Sequence, residues 1–355
     1  MAAPVPRSDF LFVTCQPGAE PALKAEVAGT ADGLRFAYSR PGLVTFRAPA
    51  PLAADVPLAS VFARAWGISL GPAASVGAAV QAAGALGGPL RLHAFDREPD
   101  GDRAAGVDAA LRAAAGDLFR VGVRARPGQL VLDVIVPPPP AGTDGLEEPA
   151  WLGAHVHGSD RSPWPGGRAP IEVPFAAPSR AYRKLEEALD WSRAPVRAGD
   201  TAVEIGSAPG GASYALLGRG LEVVGVDPGE MAPIVLQFVG RSGNRFRHLR
   251  TAVGALRPEA LPDRVHWLLL DVNLAPQVAL HNVRRLVAAL RRDLVGVLFT
   301  LKLNDWSMAA EIPALLDRVR AMGLTGVRAT QLPTNRQEIC VYAETQKGAE
   351  RRRRR

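Results

Sequence analysis

The stretch Thr201-Ala-Val-Glu-Ile-Gly-Ser-Ala-Pro-Gly-Gly211 joins an apolar strand, Thr201–Ile205, to a glycine-rich turn, and a helical pattern follows at Ala212–Leu217. Glycines in such a turn let the backbone approach a ligand, and a helix N-terminus presents N–H groups to it. The spacing is not G-x-G-x-x-G, which disfavours a dinucleotide-dependent oxidoreductase. The next strand, Leu221–Val226, ends at Asp227, whose carboxylate can accept hydrogen bonds from the ribose diol of a bound nucleoside.

Helices and strands alternate on both sides of this turn, from Ser179 to the end of the chain. Such alternation indicates a mostly parallel sheet with helices on both faces, so the predicted fold class is α/β and Rossmann-like. The further predicted helices and strands are the helices Arg180–Trp191, His281–Arg292 and Ala309–Met322, and the strands Val265–Leu270, Val295–Leu301, Gly326–Thr330 and Ile339–Ala343.

The first half of the chain has a different pattern, with short strands and few helices, which predicts an α+β unit. A chain of 355 residues is long enough for more than one domain. We predict an N-terminal α+β subdomain at 1–68, a second domain with a linker at 69–172, and the α/β domain at 173–347. The segment Ser162–Gly167, SPWPGG, is predicted to be a rigid turn.

Composition restricts the class of protein without identifying it. The net charge is +7, but Arg351–Arg355 supply five of these charges, so the rest of the chain carries +2. We predict that residues 348–355 form a disordered basic tail.

Cys15 and Cys340 lie in apolar runs and are expected to be buried thiols rather than a disulfide. Because no secretion signal or membrane span is recognised, the protein is expected to be cytoplasmic and not bound to membrane.

Four charged residues are expected to meet at one edge of the α/β sheet. Asp271 ends the strand HWLLLD, and Lys302 ends the strand VGVLFTLK. Ligands bind outside the carboxyl ends of such strands. Glu338 begins EICVYA, and its side chain reaches the same edge if this last strand runs antiparallel. Lys184 lies on the helix before the first strand. Any one of them alone is more simply an exposed cap at a strand end, but four that converge are not.

The sequence does not favour a metal site. His155 and His157 are spaced one residue apart near Trp151, yet no Cys, Glu or further His cluster accompanies them in the sequence. A strand or loop surface is the preferred interpretation, and no metal is expected.

The stretch Ser179-Arg-Ala-Tyr-Arg-Lys-Leu-Glu-Glu-Ala188 resembles the opening motif of FtsJ-like ribose 2′-O-methyltransferases. That family is marked by a Lys-Asp-Lys-Glu tetrad, and Lys184, Asp271, Lys302 and Glu338 match it in order and context. Four short motifs resemble a bacterial branch that acts on large-subunit ribosomal RNA and carries a THUMP-type RNA-binding N-terminal half: Cys15–Gly18, Ser162–Pro165, Ala177–Arg180 and Asn335–Glu338.

The resemblance implies a cofactor, S-adenosylmethionine, and a reaction, methylation of a ribose 2′-hydroxyl in large-subunit ribosomal RNA, expected to be that of a cytidine. It implies Lys302 as the general base, with Lys184, Asp271 and Glu338 beside it. A monomer is expected. The residues expected to contact the cofactor are Ser179, Gly206, Ala208, Pro209, Gly210, Gly211, Asp227 and Asp271.

Three positions depart from the family pattern. Glu204 stands where Asp is usual, Ala212 where an aromatic residue is common, and Ala252 where the family places an acid near the adenine. Two alternatives therefore stay open. One is a methyltransferase that acts on another RNA or another position, and the other is a non-catalytic RNA-binding or assembly protein that retains the fold.

Overall fold

A computed structural model of the chain describes residues 5–30, 33–139 and 148–354. The chain folds into two compact units that divide between Pro170 and Ile171. This division lies two residues from the boundary predicted after residue 172.

The N-terminal unit is built on one sheet. Its strands are β1 (Arg7–Thr14), β2 (Arg35–Arg40), β3 (Leu43–Ala53), β4 (Ala65–Ala73), β5 (Arg91–Asp96), β6 (Leu130–Val136) and β7 (Ala150–Val156). Their order is β2-β3-β1-β4-β7-β6-β5, and neighbours pair antiparallel except β5 and β6. The α-helices described here are α1 (Glu20–Thr30), α2 (Val76–Leu86) and α3 (Ala104–Ala115). Mixed helices and a largely antiparallel sheet make this an α+β unit.

The predicted boundary at residue 68 does not separate two subdomains. β1 pairs antiparallel with β4, with Leu11 opposite Ile68, so both sides of that boundary share the sheet. The sequence pattern also missed α2, whose interior is mostly alanine and glycine. Ser75 caps α2, and its buried face consists of Ala79 and Ala83, because small side chains allow close packing.

His155 and His157 are buried, so their assignment to a surface was wrong. The chain segment that carries them is hydrogen-bonded to two other segments of the N-terminal unit. The His157 N–H donates to the carbonyl of Gln129 at 2.9 Å, and the Val156 N–H donates to the carbonyl of Ala54 at 2.8 Å. These partners come from distant parts of the sequence, which local alternation cannot show.

The C-terminal unit holds a second sheet. Its strands are β8 (Thr201–Ile205), β9 (Glu222–Val226), β10 (Phe246–Leu249), β11 (Trp267–Asp271), β12 (Gly296–Lys302), β13 (Thr325–Thr330) and β14 (Glu338–Glu344). Its α-helices, among the described residues, are α4 (Ala181–Ser192), α5 (Gly211–Gly218), α6 (Pro233–Leu236), α7 (Pro276–Leu290), α8 (Ile312–Arg320) and α9 (Gln346–Arg353).

The order of the second sheet is β10-β9-β8-β11-β12-β14-β13. The first five strands in this order pair in parallel, and β14 runs antiparallel to both β12 and β13. β8, β11 and β12 are buried along almost their whole length, which explains their continuous Val and Leu runs. The strand order reverses between β8 and β11, and open α/β sheets bind ligands at the carboxyl ends of strands flanking such a point.

The C-terminal arginines form structure, and the prediction of a disordered tail at 348–355 was wrong for the residues described, which end at 354. Gln346–Arg353 is helix α9, capped by Thr345. The guanidinium of Arg351 lies 2.9 Å from the buried carboxylate of Asp200, and that of Arg352 lies 2.7 Å from the buried Glu344. Buried carboxylates need a partner, and these two ion pairs attach helix α9 to the rest of the C-terminal unit.

Cys15 and Cys340 are both buried free thiols, as expected. Burial raises the pKa of each thiol to about 12, so both stay protonated.

Along the ranges that the structure describes, every helix falls short of the length and apolar character needed to cross a lipid bilayer.

Candidate active site

Lys184, Asp271, Lys302 and Glu338 form a closed ring of alternating charge. The Lys184 ammonium lies 2.8 Å from Asp271 Oδ2 and 2.6 Å from Glu338 Oε1. The Lys302 ammonium lies 3.2 Å from Asp271 Oδ1 and also bonds Glu338 Oε2. The structure therefore brings together all four tetrad residues named from the sequence.

Strand register explains why the four side chains meet. Asp271 and Lys302 are the last residues of the neighbouring parallel strands β11 and β12. Glu338 begins β14 directly opposite Lys302, because β14 runs antiparallel to β12. Lys184 projects from the first turn of α4, which completes the ring.

The ring is partly buried, and its charges shift the pKa values of Lys184 and Glu338. Burial favours the neutral form of Lys184, but Asp271 and Glu338 outweigh it and raise the pKa of Lys184. Burial likewise favours neutral Glu338, but Lys184 and Lys302 outweigh it and lower the pKa of Glu338. Lys184 is therefore a fixed positive charge at neutral pH.

Asn335 bonds to the ring through Glu338, and the sequence analysis named it only as the first residue of the motif Asn335–Glu338. It is fully buried, and its Nδ2 donates to Glu338 Oε1 at 2.8 Å. Its Oδ1 accepts the N–H of Leu332 at 2.8 Å, so the amide is fixed at both ends. Asn335 therefore orients the Glu338 carboxylate.

The glycine-rich turn lies against the ring and against Ser179. A Cβ added to Gly206 would lie 2.0 Å from the backbone oxygen of Asp271, and Gly206 has φ +84°. A Cβ on Gly211 would lie 2.2 Å from Ser179 Oγ. Both positions therefore require glycine for close packing, which fixes the turn beside Asp271 and the start of α4.

Asp227 joins the turn to the end of β9. Its Oδ2 accepts the N–H of Ala208 at 3.1 Å, and its Oδ1 accepts the N–H of Gly229 at 2.7 Å. The carboxylate thus stands beside the Ala208–Pro209 part of the turn. Gly210, the N-cap of α5, makes no side-chain capping bond. Residues 206–211, Ser179, Asp227 and Asp271, all named from the sequence, therefore border one region.

Glu204 lies on β8, just before the turn, and it is buried. The sequence did not reveal this burial. Its carboxyl bonds the Ser213 hydroxyl on α5. Burial raises the pKa of Glu204 to about 8, opposed by the bonds from Ser213 and assisted by the negative charges of Asp271 and Asp227. Glu204 therefore carries a proton at neutral pH, unlike an ordinary carboxylate.

We expect Glu204→Gln to change how stability depends on pH. The pKa of Glu204 in the folded chain, about 8, lies above the unfolded value of 4.5, so the folded chain holds an extra proton between these limits. Its stabilising contribution is complete below pH 4.5 and is lost as pH rises through 8, by about 1.4 kcal/mol per pH unit. In urea unfolding at pH 5, 6.5 and 8, the free energy of unfolding of Glu204→Gln should rise relative to that of the wild type as the pH increases.

Glu259→Gln, at an exposed position, is the matched control and should follow the wild type at all three pH values. Parallel stability curves for Glu204→Gln and the wild type would show that Glu204 is ionised in the folded chain.

A pocket adjoins the ring on the α4 side of the sheet. Its polar lining comes from Lys184, Glu204, Asp271 and Thr300, and its apolar lining includes Leu185, Leu269, Leu298 and Leu332. The pocket therefore places Lys184 and Asp271 of the ring beside the buried Glu204.

The sequence model of the FtsJ-like methyltransferase family matches residues 177–304. Several relatives carry the name ribosomal RNA large subunit methyltransferase M. That of Alkalilimnicola ehrlichii is 40% identical over 200 residues, 52% of this chain and 51% of the relative. That of Halorhodospira halophila is 35% identical over 189 residues, 52% of each chain. The chain spans about half the length of the curated relatives it matches.

Among solved structures, the chain resembles TrmN from Thermus thermophilus at a TM-score of 0.36 and 19% identity, over 95% of this chain and 99% of that one. So loose a resemblance bears on neither substrate nor reaction. The family match instead covers the glycine-rich turn and three of the four ring residues, on a sheet of the Rossmann-like type. Residues 177–304, which carry the glycine-rich turn, are therefore similar in sequence to FtsJ-like methyltransferases.

Proposed function

We propose that this chain methylates a ribose 2′-hydroxyl of RNA, using S-adenosylmethionine, and that its substrate is large-subunit ribosomal RNA. The observation that carries the proposal is the closed Lys-Asp-Lys-Glu ring beside the glycine-rich turn. The names of the relatives support the choice of RNA. A cytidine is the nucleoside we propose.

The residues around the turn suit the proposed cofactor. Gly206 and Gly211 let the turn pack directly against Asp271 and Ser179, and no side chain caps the N-terminus of α5, so its first N–H groups can face a ligand. Asp227 stands at the end of β9, where a carboxylate can accept bonds from a ribose diol. S-adenosylmethionine, when bound, supplies a methyl group on a positively charged sulfur. The residues proposed to hold it are Ser179, Gly206, Ala208, Pro209, Gly210, Gly211, Asp227 and Asp271.

Lys302 is the proposed general base. A ribose hydroxyl is a poor nucleophile at neutral pH, and a base that removes its proton must first be neutral itself. Lys184 is held protonated by two short bonds to carboxylates, so it is unsuited to this role. Lys302 is the other lysine of the ring, and its bond to Asp271 is longer, at 3.2 Å. Lys302 Nζ would accept the 2′-hydroxyl proton and pass it to solvent.

Asp271 and Glu338 would position the two lysines rather than react. Each carboxylate bonds both ammonium groups, and Asn335 fixes Glu338 from the buried side. Correct placement of reactants supplies a large part of the rate in such reactions. Arg180 and Arg183, both exposed near the start of α4, are proposed to contact RNA phosphates. The N-terminal unit is proposed to bind RNA as a THUMP-type half.

The test is methyl transfer by the purified chain. Large-subunit ribosomal RNA is incubated with the protein and S-adenosylmethionine labelled in the methyl group, then digested to nucleosides and analysed by mass spectrometry. We expect one 2′-O-methylated nucleoside, 2′-O-methylcytidine. Label on a base would contradict ribose methylation, and no label on RNA, with no binding of S-adenosylmethionine by calorimetry, would favour a non-catalytic RNA-binding protein.

A further inference from the structure

A buried cluster in the N-terminal unit unites three residues that are distant in sequence. His93, Asp133 and His155 lie on the neighbouring strands β5, β6 and β7. Asp133 is directly opposite His93 in the register of β5 and β6, and His155 pairs with Val131, two residues from Asp133 on the same face. The exposed fractions of His93, Asp133 and His155 are 1%, 0% and 4%.

The hydrogen bonds of the cluster leave two acceptors facing each other. His93 Nε2 lies 2.8 Å from the carbonyl of Val123, which can only accept, so Nε2 carries the proton and donates it. With the ring proton on Nε2, Nδ1 is the acceptor nitrogen of the neutral imidazole. That Nδ1 lies 3.8 Å from Asp133 Oδ1, a buried oxygen with no hydrogen-bond partner among the described residues.

A bare imidazole nitrogen and a bare carboxylate oxygen, both buried, are stabilised by a donor or a positive centre between them, and a metal ion is one such centre. The second oxygen, Asp133 Oδ2, already lies 2.5 Å from His155 Nδ1. Each of the three residues offers one ligand atom, and these atoms all lie within 4.8 Å of one another. Ligands about 2.0–2.2 Å from a tetrahedral zinc ion lie roughly 3.3 Å apart, so a modest contraction brings them into range.

We propose that His93, Asp133 and His155 form a binding site for one divalent transition-metal ion, with zinc as the favoured ion. Two imidazoles and a carboxylate are the ligands that such ions take, whereas calcium and magnesium prefer oxygen alone.

The surroundings give this site a structural role. The cavity at the cluster is also lined by Trp164 and Gly167 of the SPWPGG segment, so an ion there would join three strands to that segment. Arg161 lines the same cavity, but its guanidinium donates to the backbone oxygens of Val56 and Trp66. The metal was not expected from the sequence because His93 and Asp133 are far from His155 along the chain.

The site can be tested on the whole chain, purified without a histidine tag and stripped with a chelator. We expect one cobalt(II) ion to bind per chain, with visible absorption bands of a low-coordinate site, and zinc to displace it. His93→Gln and His155→Gln should each weaken zinc binding by about 100-fold or more. His281→Gln, which changes an exposed histidine on α7, is the matched control and should bind as the wild type does.

Two further measurements keep the test decisive if a variant folds poorly. Zinc should raise the midpoint of heat unfolding in the wild type and in His281→Gln, but not in Asp133→Asn, whose side chain keeps the same shape. X-ray absorption of the zinc-loaded wild type should show two imidazoles in the ligand shell. The proposal is overturned if the wild type takes up no stoichiometric metal, if folded cluster variants bind as the wild type does, or if imidazole is missing from the shell. A proton shared by His155 and Asp133 would then balance the carboxylate.

Discussion

Lys302→Ala is expected to reduce methyl transfer to RNA by about 10²–10⁴-fold, the range typical of losing a general base. The binding of S-adenosylmethionine should stay within about twofold of the wild type, because most of the proposed cofactor residues lie on the turn and at Asp227, and Asp271 keeps its 2.8 Å bond to Lys184. Single-turnover transfer rates and calorimetry separate the two effects.

Lys302→Arg separates a base from a mere positive charge. Arginine keeps the charge opposite Asp271 and Glu338, but it does not give up its proton in proteins. We therefore expect Lys302→Arg to be as inactive as Lys302→Ala. Lys347→Ala, which removes a lysine paired with Asp293 at a distance of 3.0 Å, is the matched control and should retain full activity. An active Lys302→Arg would assign Lys302 an electrostatic role and leave the base elsewhere.

Gly206→Ala is expected to damage both stability and activity. The new Cβ would lie 2.0 Å from the backbone oxygen of Asp271, and φ at this position is +84°, which alanine rarely adopts. Backbone atoms cannot rotate away, so the end of β8 must move relative to β11. We expect a loss of about 1–3 kcal/mol in the free energy of unfolding. Activity should fall further than stability alone explains, because Asp271 moves with its backbone.

Gly218→Ala provides the matched control within α5. A Cβ at Gly218 meets nothing within 4 Å, and alanine favours the helix over glycine. We expect its stability to equal or exceed that of the wild type, with unchanged methyl transfer. Urea unfolding and initial transfer rates measure both variants. A Gly206→Ala chain that is as stable and active as Gly218→Ala would show that the turn does not need to approach Asp271 this closely.

The parallel part of the second sheet could be predicted because its strands are buried on both faces. Such strands appear as continuous apolar runs, and Asp271 and Lys302 ended two of them with a charge. Parallel strands align their carboxyl ends, so the sequence predicted where those two charges lie. Glu338 required one further assumption, an antiparallel last strand, and the register of β12 and β14 has this direction.

Other features depend on contacts that no local pattern records. Asp200 and Glu344 bind the C-terminal arginines, so a run that appeared to be a solvated tail is helical. His93 meets Asp133 and His155 only through the pairing of three strands. Glu204 is a substitution visible in the sequence, but its protonation follows from complete burial under α5. Long-range packing decided each of these cases, whereas apolar periodicity reports only on near neighbours.

The ring of two lysines and two acids is the centre of the proposed mechanism, and mapping ribose methylation across the large-subunit ribosomal RNA of living cells tests it most directly. Cells with the gene, without it, and with the gene carrying Lys302→Ala are compared. We predict one 2′-O-methyl group that disappears without the gene and is not restored by the Lys302→Ala gene. An unchanged methylation map without the gene, or full restoration by the Lys302→Ala gene, would contradict the proposed reaction.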